Sequence, residues 1–284
     1  MSAVSQHPDL KGRRVLLTGA SRGIGGECAR ILAERGAAVV AVARRRAGVE
    51  EAVAGLPGKG HRAVALDVGD ENGWRAAAQE GVLEGVSGVV TAAAVLAPVG
   101  PIGSYTPAEF WETVRVNVLG TLLAVHHCLA SLETARGAVV TFAGGGATSP
   151  QPRYDAYATS KAAVVRLSEN LALELAERGV RVNAVSPGFV ATDIHAATLQ
   201  AGPGRAGEGY FASTERQLDN GGVPARRAAE LTAFLLSEQA RGITGKLVSA
   251  PWDPWEEPDF QQQLREEPDL ATVRRIDGQF FVPA

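Results

Sequence analysis

Seven short apolar runs, separated by segments of helical periodicity, restrict the fold of this 284-residue chain more than any other feature. The runs are continuously apolar, which is typical of strands that are covered on both faces. Strands that alternate with helices predict βαβ units and a parallel sheet. The apolar runs cover residues 13–18, 38–43, 63–66, 88–92, 138–142, 180–185 and 246–248. The helical segments cover residues 24–35, 71–80, 107–132, 156–178 and 225–237. We therefore predict a single α/β domain, a doubly wound, Rossmann-like parallel sheet of about seven strands with helices on both faces.

Composition and charge argue against several other classes of protein. The net charge is −3, whereas a nucleic-acid-binding domain usually carries a strongly basic face. The two cysteines, Cys28 and Cys128, lie in apolar helical patterns, so a disulfide framework is excluded. Residues 1–11 lack the apolar core of a signal peptide, and no run of about 18 apolar residues predicts a membrane span. We expect a cytoplasmic protein that binds a small molecule, with no nucleic-acid, membrane or metal partner.

A glycine-rich turn follows the first predicted strand and opens the first predicted helix. Backbone that turns tightly against a pyrophosphate has no room for a Cβ, and a helix N-terminus offers unpaired N–H groups to the anion. The spacing is G-x-x-x-G-x-G rather than the common G-x-G-x-x-G, and an ordinary tight turn is the alternative interpretation. The residues predicted to contact a dinucleotide here are Gly19, Ser21, Arg22, Gly23, Ile24 and Gly25.

The end of the second predicted strand bears on the choice between NADP(H) and NAD(H). An acid there would hold the ribose 2′-hydroxyl and repel a 2′-phosphate. In this chain Ala43 is followed by Arg44, Arg45 and Arg46, and Arg22 lies within the glycine turn. The cations favour NADP(H) over NAD(H) and make Arg44 a candidate cofactor contact, with a solvated basic turn as the alternative.

Tyr157 and Lys161 are four residues apart on a predicted helix and therefore share a face. A phenol has an ordinary pKa of about 10, and a nearby ammonium stabilises the phenolate and lowers that pKa. The phenol would then give a proton to a carbonyl oxygen, or take one from an alcohol, while hydride moves at carbon. The alternative is a solvated helical pair.

In these motifs the chain resembles the short-chain dehydrogenase/reductase family, over roughly residues 11–248. The resemblance rests on TGASRGIG at 18–25, LDV at 66–68, VNVLG at 116–120, the Tyr157/Lys161 pair, and SPG at 186–188 running to Thr192. It implies a nicotinamide-dependent oxidoreductase, and we expect an NADP(H)-dependent enzyme that interconverts a secondary alcohol and a ketone. It also implies a homodimer or homotetramer with helices 107–132 and 156–178 at the interface.

The resemblance further implies roles for individual residues. Tyr157 would be the general acid/base, and Lys161 would hydrogen-bond the nicotinamide ribose. Asn117 would order a water that links Lys161 to solvent. Asp67 would bind the adenine, with Val68 supplying backbone contacts. The remaining implied cofactor contacts are Ala93, Pro187, Gly188, Val190 and Thr192.

The chain departs from the family pattern at one catalytic position. The family usually has a serine thirteen residues before the tyrosine, and here that position is Gly144 in FAGGG. One such donor can contribute a few kcal/mol to transition-state stabilisation. Four interpretations stay open: Thr148 or Ser149 supplies the hydroxyl; the amides of residues 144–146 act as donors; the protein binds NADP(H) as a sensor or pseudoenzyme; or its chemistry lies outside simple oxidoreduction. The usual Asn-Asn-Ala-Gly and Asp-Gly-Gly segments are also replaced, by TAAA at 91–94 and VSAP at 248–251.

Two segments break the strand–helix rhythm. Residues 192–222 are Gly-rich and weakly periodic, and a long irregular stretch of this kind is usually functional or mobile, so we assign them as a substrate loop. His195 in that loop is a candidate substrate contact, although a solvated loop histidine is the favoured interpretation. Residues 250–284 form a C-terminal extension that is predicted to wrap over its own subunit or a neighbour and to help close the substrate pocket, with a partly disordered end as the alternative. Its aromatic residues, expected to be buried, are Trp252, Trp255, Phe260, Phe280 and Phe281.

Overall fold

A seven-stranded, entirely parallel sheet organises the computed structural model, which describes residues 9–274. The strand order is β3-β2-β1-β4-β5-β6-β7, so the chain runs outward in one direction and then reverses next to β1. All seven predicted strands are confirmed, with no end shifted by more than one residue. They are β1 Arg14–Thr18, β2 Ala38–Ala43, β3 Arg62–Ala65, β4 Gly88–Thr91, β5 Ala138–Phe142, β6 Arg181–Ser186 and β7 Leu247–Ser249.

Ten α-helices are present in the described part of the chain. They differ from the predicted helices in three ways. The helix α2 was not predicted because it buries one residue, Val49, and therefore shows no apolar stripe. The predicted helix 107–132 is interrupted by a π-helical turn at Arg115–Leu119. The substrate loop, predicted to be irregular, contains α7 and α8. The helices are α1 Gly23–Glu34, α2 Arg46–Ala54, α3 Glu71–Gln79, α4 Pro107–Val114, α5 Gly120–Ala135, α6 Asp155–Glu174, α7 Ala196–Ala206, α8 Glu208–Asp219, α9 Ala225–Leu236 and α10 Pro258–Glu266.

The sheet is covered on both faces, which explains why its strands are continuously apolar. Successive side chains of a strand point to opposite faces. Leu17 accordingly packs in a cluster with residues of α1 and α9, such as Ile31 and Leu235. Leu16, its neighbour, packs in a second cluster with Leu132 of α5. The doubly wound α/β fold is therefore confirmed.

The continuous helical stretch Pro107–Ala135 is long and apolar enough to cross a membrane by length and composition alone. Its α5 segment, however, contributes Leu123, Cys128 and Leu132 to the core beneath the sheet. The core helix of a globular protein passes the same test, so this one stretch is weak evidence for a membrane span. Cys128 and Cys28 are both free and buried, and burial raises the pKa of each thiol to about 12.

The C-terminal extension, as far as Arg274, folds back onto the edge of the sheet. Trp255 is buried against Phe234 of α9, with ring centroids 5.9 Å apart. The buried Lys246 donates from Nζ to the carbonyls of Glu267, Pro268 and Leu270 at 2.6–3.1 Å. The extension was predicted to wrap over its own subunit or a neighbour, and these residues pack on their own subunit.

The aromatic residues of the extension do not all follow the prediction. Trp252 was expected to be buried but is 75% exposed, because it lies at the mouth of the cleft described below. Phe260 is half-buried against the α9 side of the core. Phe280 and Phe281 lie outside the described residues.

Candidate active site

A cleft of about 1330 Å³ opens at the carboxyl ends of the strands, where the sheet order reverses between β1 and β4. In doubly wound folds this switch point is the usual ligand site. The cleft collects residues that are far apart in the chain. Every cofactor contact predicted from the sequence lines it: Gly19, Ser21, Arg22, Gly23, Ile24, Gly25, Arg44, Asp67, Val68, Ala93, Tyr157, Lys161, Pro187, Gly188, Val190 and Thr192.

The glycine turn forms a cradle that a side chain would fill. Gly19 has φ +70°, and a Cβ there would lie 2.7 Å from the backbone nitrogen of Ala93. The helix α1 begins directly after Arg22, and no side chain caps its N-terminal N–H groups. Free N–H groups at a helix N-terminus attract phosphate, so the cradle fits the pyrophosphate of a dinucleotide.

Charged residues surround the two ends of this cradle. Arg44 and Arg45 follow β2 and line the cleft. Arg22, predicted to face a cofactor phosphate, pairs across the cleft with Asp193, with Nη1 and Oδ2 2.6 Å apart. Both of these side chains are more than half exposed, so this pair contributes little to stability.

The carboxylate predicted to face the adenine is held by a residue that the sequence did not single out. Arg115, in the π-helical turn, pairs with Asp67 at 3.0 Å and also bonds Glu112. Asp67 additionally accepts a hydrogen bond from the N–H of Gly69 at 2.9 Å. The Arg115 bond, together with that N–H, lowers the pKa of Asp67, so the carboxylate is ionised at neutral pH.

Tyr157 and Lys161 face the cleft from the first turns of α6. The Lys161 ammonium donates to the carbonyl of Phe142 at 2.8 Å and lies 5.8 Å from the centroid of the Tyr157 ring. Burial lowers the pKa of Lys161 to about 8. For Tyr157, burial and then the neighbouring Tyr210 raise the pKa above its ordinary value. The expected lowering of the tyrosine pKa by the lysine is therefore absent here, because desolvation outweighs a cation that bonds elsewhere.

Asn117 lies in the π-helical turn and links two elements of the site. Its Oδ1 accepts the N–H of Val95, and its Nδ2 donates to the Val95 carbonyl and to Ser160 Oγ, all at 2.9 Å. These three bonds tie the segment after β4 to α6, next to Lys161. Asn117 itself does not line the cleft among the described residues, so in this structure its side chain positions its neighbours.

The structure leaves no room for a side chain at Gly144, the position of the family's usual serine. A Cβ on Gly144 would lie 2.5 Å from Tyr157 Oη and 3.0–3.1 Å from two ring carbons. The tyrosine therefore occupies the space that a side chain at 144 would need. Thr148 and Ser149 are both exposed, and neither lines the cleft, so neither offers its hydroxyl to a substrate beside Tyr157.

The substrate loop covers this end of the cleft. Tyr210 of α8 packs on Tyr154, with centroids 4.6 Å apart, and burial raises its pKa. His195 was favoured as a solvated histidine, and this is wrong: it is 8% exposed and stacks on Phe189 at 4.0 Å. Its Nδ1 is buried and has no hydrogen-bond partner in the described chain. The low polarity around the ring lowers the pKa of His195.

Comparisons with known proteins agree with this geometry. A family model described as enoyl-(acyl carrier protein) reductase matches residues 19–250. The cis-4-hydroxycyclohexanecarboxylate dehydrogenase of Sinomonas cyclohexanicum is 31% identical over 84% of this chain and 94% of its own length. Dehydrogenase/reductase SDR family member 4 of Bos taurus is 34% identical over 84% of this chain and 86% of its own length.

A solved structure gives the same result for the fold. It is that of a putative NAD(P)-dependent gluconate 5-dehydrogenase from Beutenbergia cavernae with bound NADP. The two chains are 29% identical, the TM-score is 0.73, and the match covers 85% of this chain and 96% of the other.

Proposed function

The chain belongs to the short-chain dehydrogenase/reductase family, and on that premise we propose that it is an NADP(H)-dependent oxidoreductase interconverting a secondary alcohol and a ketone. The observation that carries the proposal is that Tyr157 and Lys161 share one cleft with the glycine cradle. The relatives named for hydroxycyclohexanecarboxylate and gluconate support a small, hydroxylated substrate.

The residues divide the chemical work as follows. A bound nicotinamide supplies or accepts the hydride. Tyr157 gives its phenolic proton to the substrate oxygen during reduction and takes it back during oxidation. Its raised pKa keeps the phenol protonated at neutral pH, which suits the role of acid. Lys161, held by the Phe142 carbonyl, places a cation beside the phenol, and Asn117 fixes the segment that supports it.

The role of the usual serine falls to backbone amides in this proposal. Residues 144–146 follow β5, and Gly144 and Gly145 line the cleft. Preorganised N–H groups aimed at a developing oxyanion are a known substitute for a hydroxyl donor. Thr148 and Ser149 are disfavoured by their exposure outside the cleft.

The preference for NADP(H) rests on Arg44 and Arg45, which line the cleft after β2 in a place where NAD(H) binding would favour an acid. We expect NADPH to bind more tightly than NADH. Arg44→Ala should remove most of that difference, whereas Arg46→Ala, which alters a residue paired with Glu50 outside the cleft, should not. Tighter binding of NADH by the wild-type protein would contradict the preference.

A second function is favoured by one observation. Because Tyr157 fills the space at Gly144, the protein lacks the usual side-chain donor and would then act as a non-catalytic NADP(H)-binding sensor. Both functions include cofactor binding, so turnover separates them. A panel of ketones and secondary alcohols should give turnover that Tyr157→Phe abolishes. Tyr105→Phe, which removes a hydroxyl bonded to Asp155, is the matched control.

Self-association belongs to the same proposal. Large apolar side chains are exposed on α4–α6, among them Trp111 at 65% and Leu173 at 80%. Helices α4, α5 and α6 are those expected at the interface of a homodimer or homotetramer. Light scattering after size exclusion should give a multiple of the monomer mass, and Leu173→Glu should lower it.

A further inference from the structure

A second cavity of about 310 Å³ adjoins the cleft at the carboxyl ends of β5, β6 and β7. Its volume lies at the lower end of the range for small-molecule pockets, about 300–1,000 Å³. The cavity and the cleft share a wall, so the two spaces are direct neighbours. The shared residues are Ala143, Gly144, Gly145, Ser186 and Trp252.

The outer wall of this cavity is built largely by the C-terminal extension. Phe260 and Leu270 face Leu247 of the edge strand, and together they make most of the cavity apolar. The N–H of Leu247 donates to the carbonyl of Ala271 at 2.7 Å, which holds the extension against the strand. Lys246 fixes the same turn through three carbonyls. The extension therefore closes a compartment that the sheet alone would leave open.

The polar side chains of the cavity are the Asp253 carboxylate, which only accepts hydrogen bonds, and the hydroxyls of Thr148, Ser186 and Ser249, which both donate and accept them. One oxygen of Asp253 accepts the N–H of Ser249 at 2.7 Å, and within residues 9–274 the carboxylate forms no ion pair. Ser249 Oγ is buried and has no partner among the same residues. A ligand group that donates a hydrogen bond would satisfy both, whereas a carboxylate or phosphate would meet the charge of Asp253.

Gly145 lies in the wall that the two spaces share. A Cβ at this position would have no atom within 4 Å, so the space next to it is open to the cavities that it lines. Trp252 borders both spaces and is 75% exposed, which leaves its ring free to cover a ligand. A substrate whose reacting carbon lies beside Tyr157 would extend past the glycines into the second compartment.

We propose that this cavity is a second compartment of the substrate pocket, which binds an apolar ring carrying a hydroxyl or amino group. The inference rests on the proposed function, since it places the reacting end of the same molecule in the cleft. The compartment would also explain two departures from the family pattern, because the glycines after β5 and the C-terminal extension both line it.

The test measures binding of small probes to the NADPH-loaded, full-length protein by isothermal titration calorimetry. Benzyl alcohol and benzylamine carry a hydrogen-bond donor on the CH2 group attached to the ring, and benzoate is the matched anion. We expect either donor probe to bind at least tenfold more tightly than benzoate. Asp253→Asn should reduce the preference for benzylamine over benzoate at least fivefold. Glu256→Gln, which alters an acid paired with Arg227 outside the cavity, should leave it unchanged.

A blocking variant tests the wall that the two spaces share, while Asp253, which lines only the second cavity, assigns the probe to that cavity. Gly145→Leu has room for its side chain and should weaken benzyl alcohol at least tenfold. Gly204→Leu adds the same side chain at another open position that lines neither cavity and should change nothing. Stronger binding by benzyl alcohol than by benzylamine identifies a hydroxyl, and the reverse order identifies an amine.

Three results would overturn the inference: equal binding of benzoate, no effect of Gly145→Leu, or binding that occurs only after deletion of residues 275–284. The last result would assign the cavity to the chain's own C-terminus. NADPH is already reduced, so the NADPH-loaded protein cannot oxidise the alcohol or the amine, and the test reports binding alone. Its failure leaves the proposed oxidoreductase activity untouched, and hydride-transfer assays test that activity separately.

Discussion

Restoring the family's serine should damage this protein, because the structure has closed the space that the side chain needs. In Gly144→Ser the new Cβ would start 2.5 Å from Tyr157 Oη and 3.0 Å from Cζ. Such contacts are below normal van der Waals separation, so the Tyr157 ring must move. Overpacking of this kind costs about 1–3 kcal/mol. We expect the free energy of unfolding to fall by about that amount, and turnover to fall with it as the phenol leaves its position.

Gly145→Ser is the matched control for stability, since the same Cβ at the next residue meets no atom within 4 Å. Urea unfolding of the wild type and both variants, with turnover measured on the same preparations, separates sterics from chemistry. A Gly144→Ser variant that is as stable as Gly145→Ser, or that turns over faster than the wild type, would contradict this prediction. Equal stability would mean that the Tyr157 ring moves without cost, and higher turnover would mean that the missing hydroxyl limits the rate.

Three further predictions concern charged side chains of the site and of the C-terminal extension. Lys161→Met should be more stable than the wild type at pH 7. The drop of the Lys161 pKa from 10.5 to about 8 means that burying the charged lysine destabilises the folded protein by about 3 kcal/mol. The variant loses about 1 kcal/mol of this gain because the bond to the Phe142 carbonyl is removed. As pH rises, the lysine loses its proton in the folded state before it does so in the unfolded state. Wild-type stability therefore rises between pH 8 and 10.5, and the advantage of the variant shrinks there. A difference in the free energy of unfolding in urea that stays constant from pH 7 to 10.5 would contradict this. Lys246→Met should free the extension and increase hydrogen exchange of residues 267–271, whereas Lys59→Met, which alters an exposed residue, should not. Arg115→Ala should weaken NADPH binding about fivefold to tenfold by releasing Asp67, and unchanged affinity in a fluorescence titration would remove Arg115 from the site.

The fold was predictable because its signals are local and repeated. A run such as residues 138–142 is apolar except for Thr141, and the structure buries every residue of β5. The helix α2 escaped prediction because a single buried valine leaves no periodicity to detect. The helices of the substrate loop were hidden by glycines, among them Gly202 at φ +71°, which break the pattern between helical turns.

The candidate site was predictable only as far as its motifs reach. The glycine turn and the Tyr157/Lys161 pair are spaced along one turn or one helix, so sequence reveals them. The bond of Arg115 to Asp67 spans 48 residues and depends on the sheet order, which no local pattern encodes. His195 gave no signal of burial, since its burial comes from stacking on Phe189 after the chain turns back.

The most direct test of the central claim follows the hydride. NADPH carrying deuterium at the transferred C4 position is mixed with the protein and each ketone of a panel of hydroxylated cyclic ketones, and the products are examined by mass spectrometry. The account predicts, for at least one ketone, deuterium on the new carbinol carbon with wild-type protein and with Tyr105→Phe. It predicts none with Tyr157→Phe, although that variant still binds NADPH. Label transfer that is unaffected by Tyr157→Phe, or no transfer to any ketone by a wild-type protein saturated with NADPH, would contradict it.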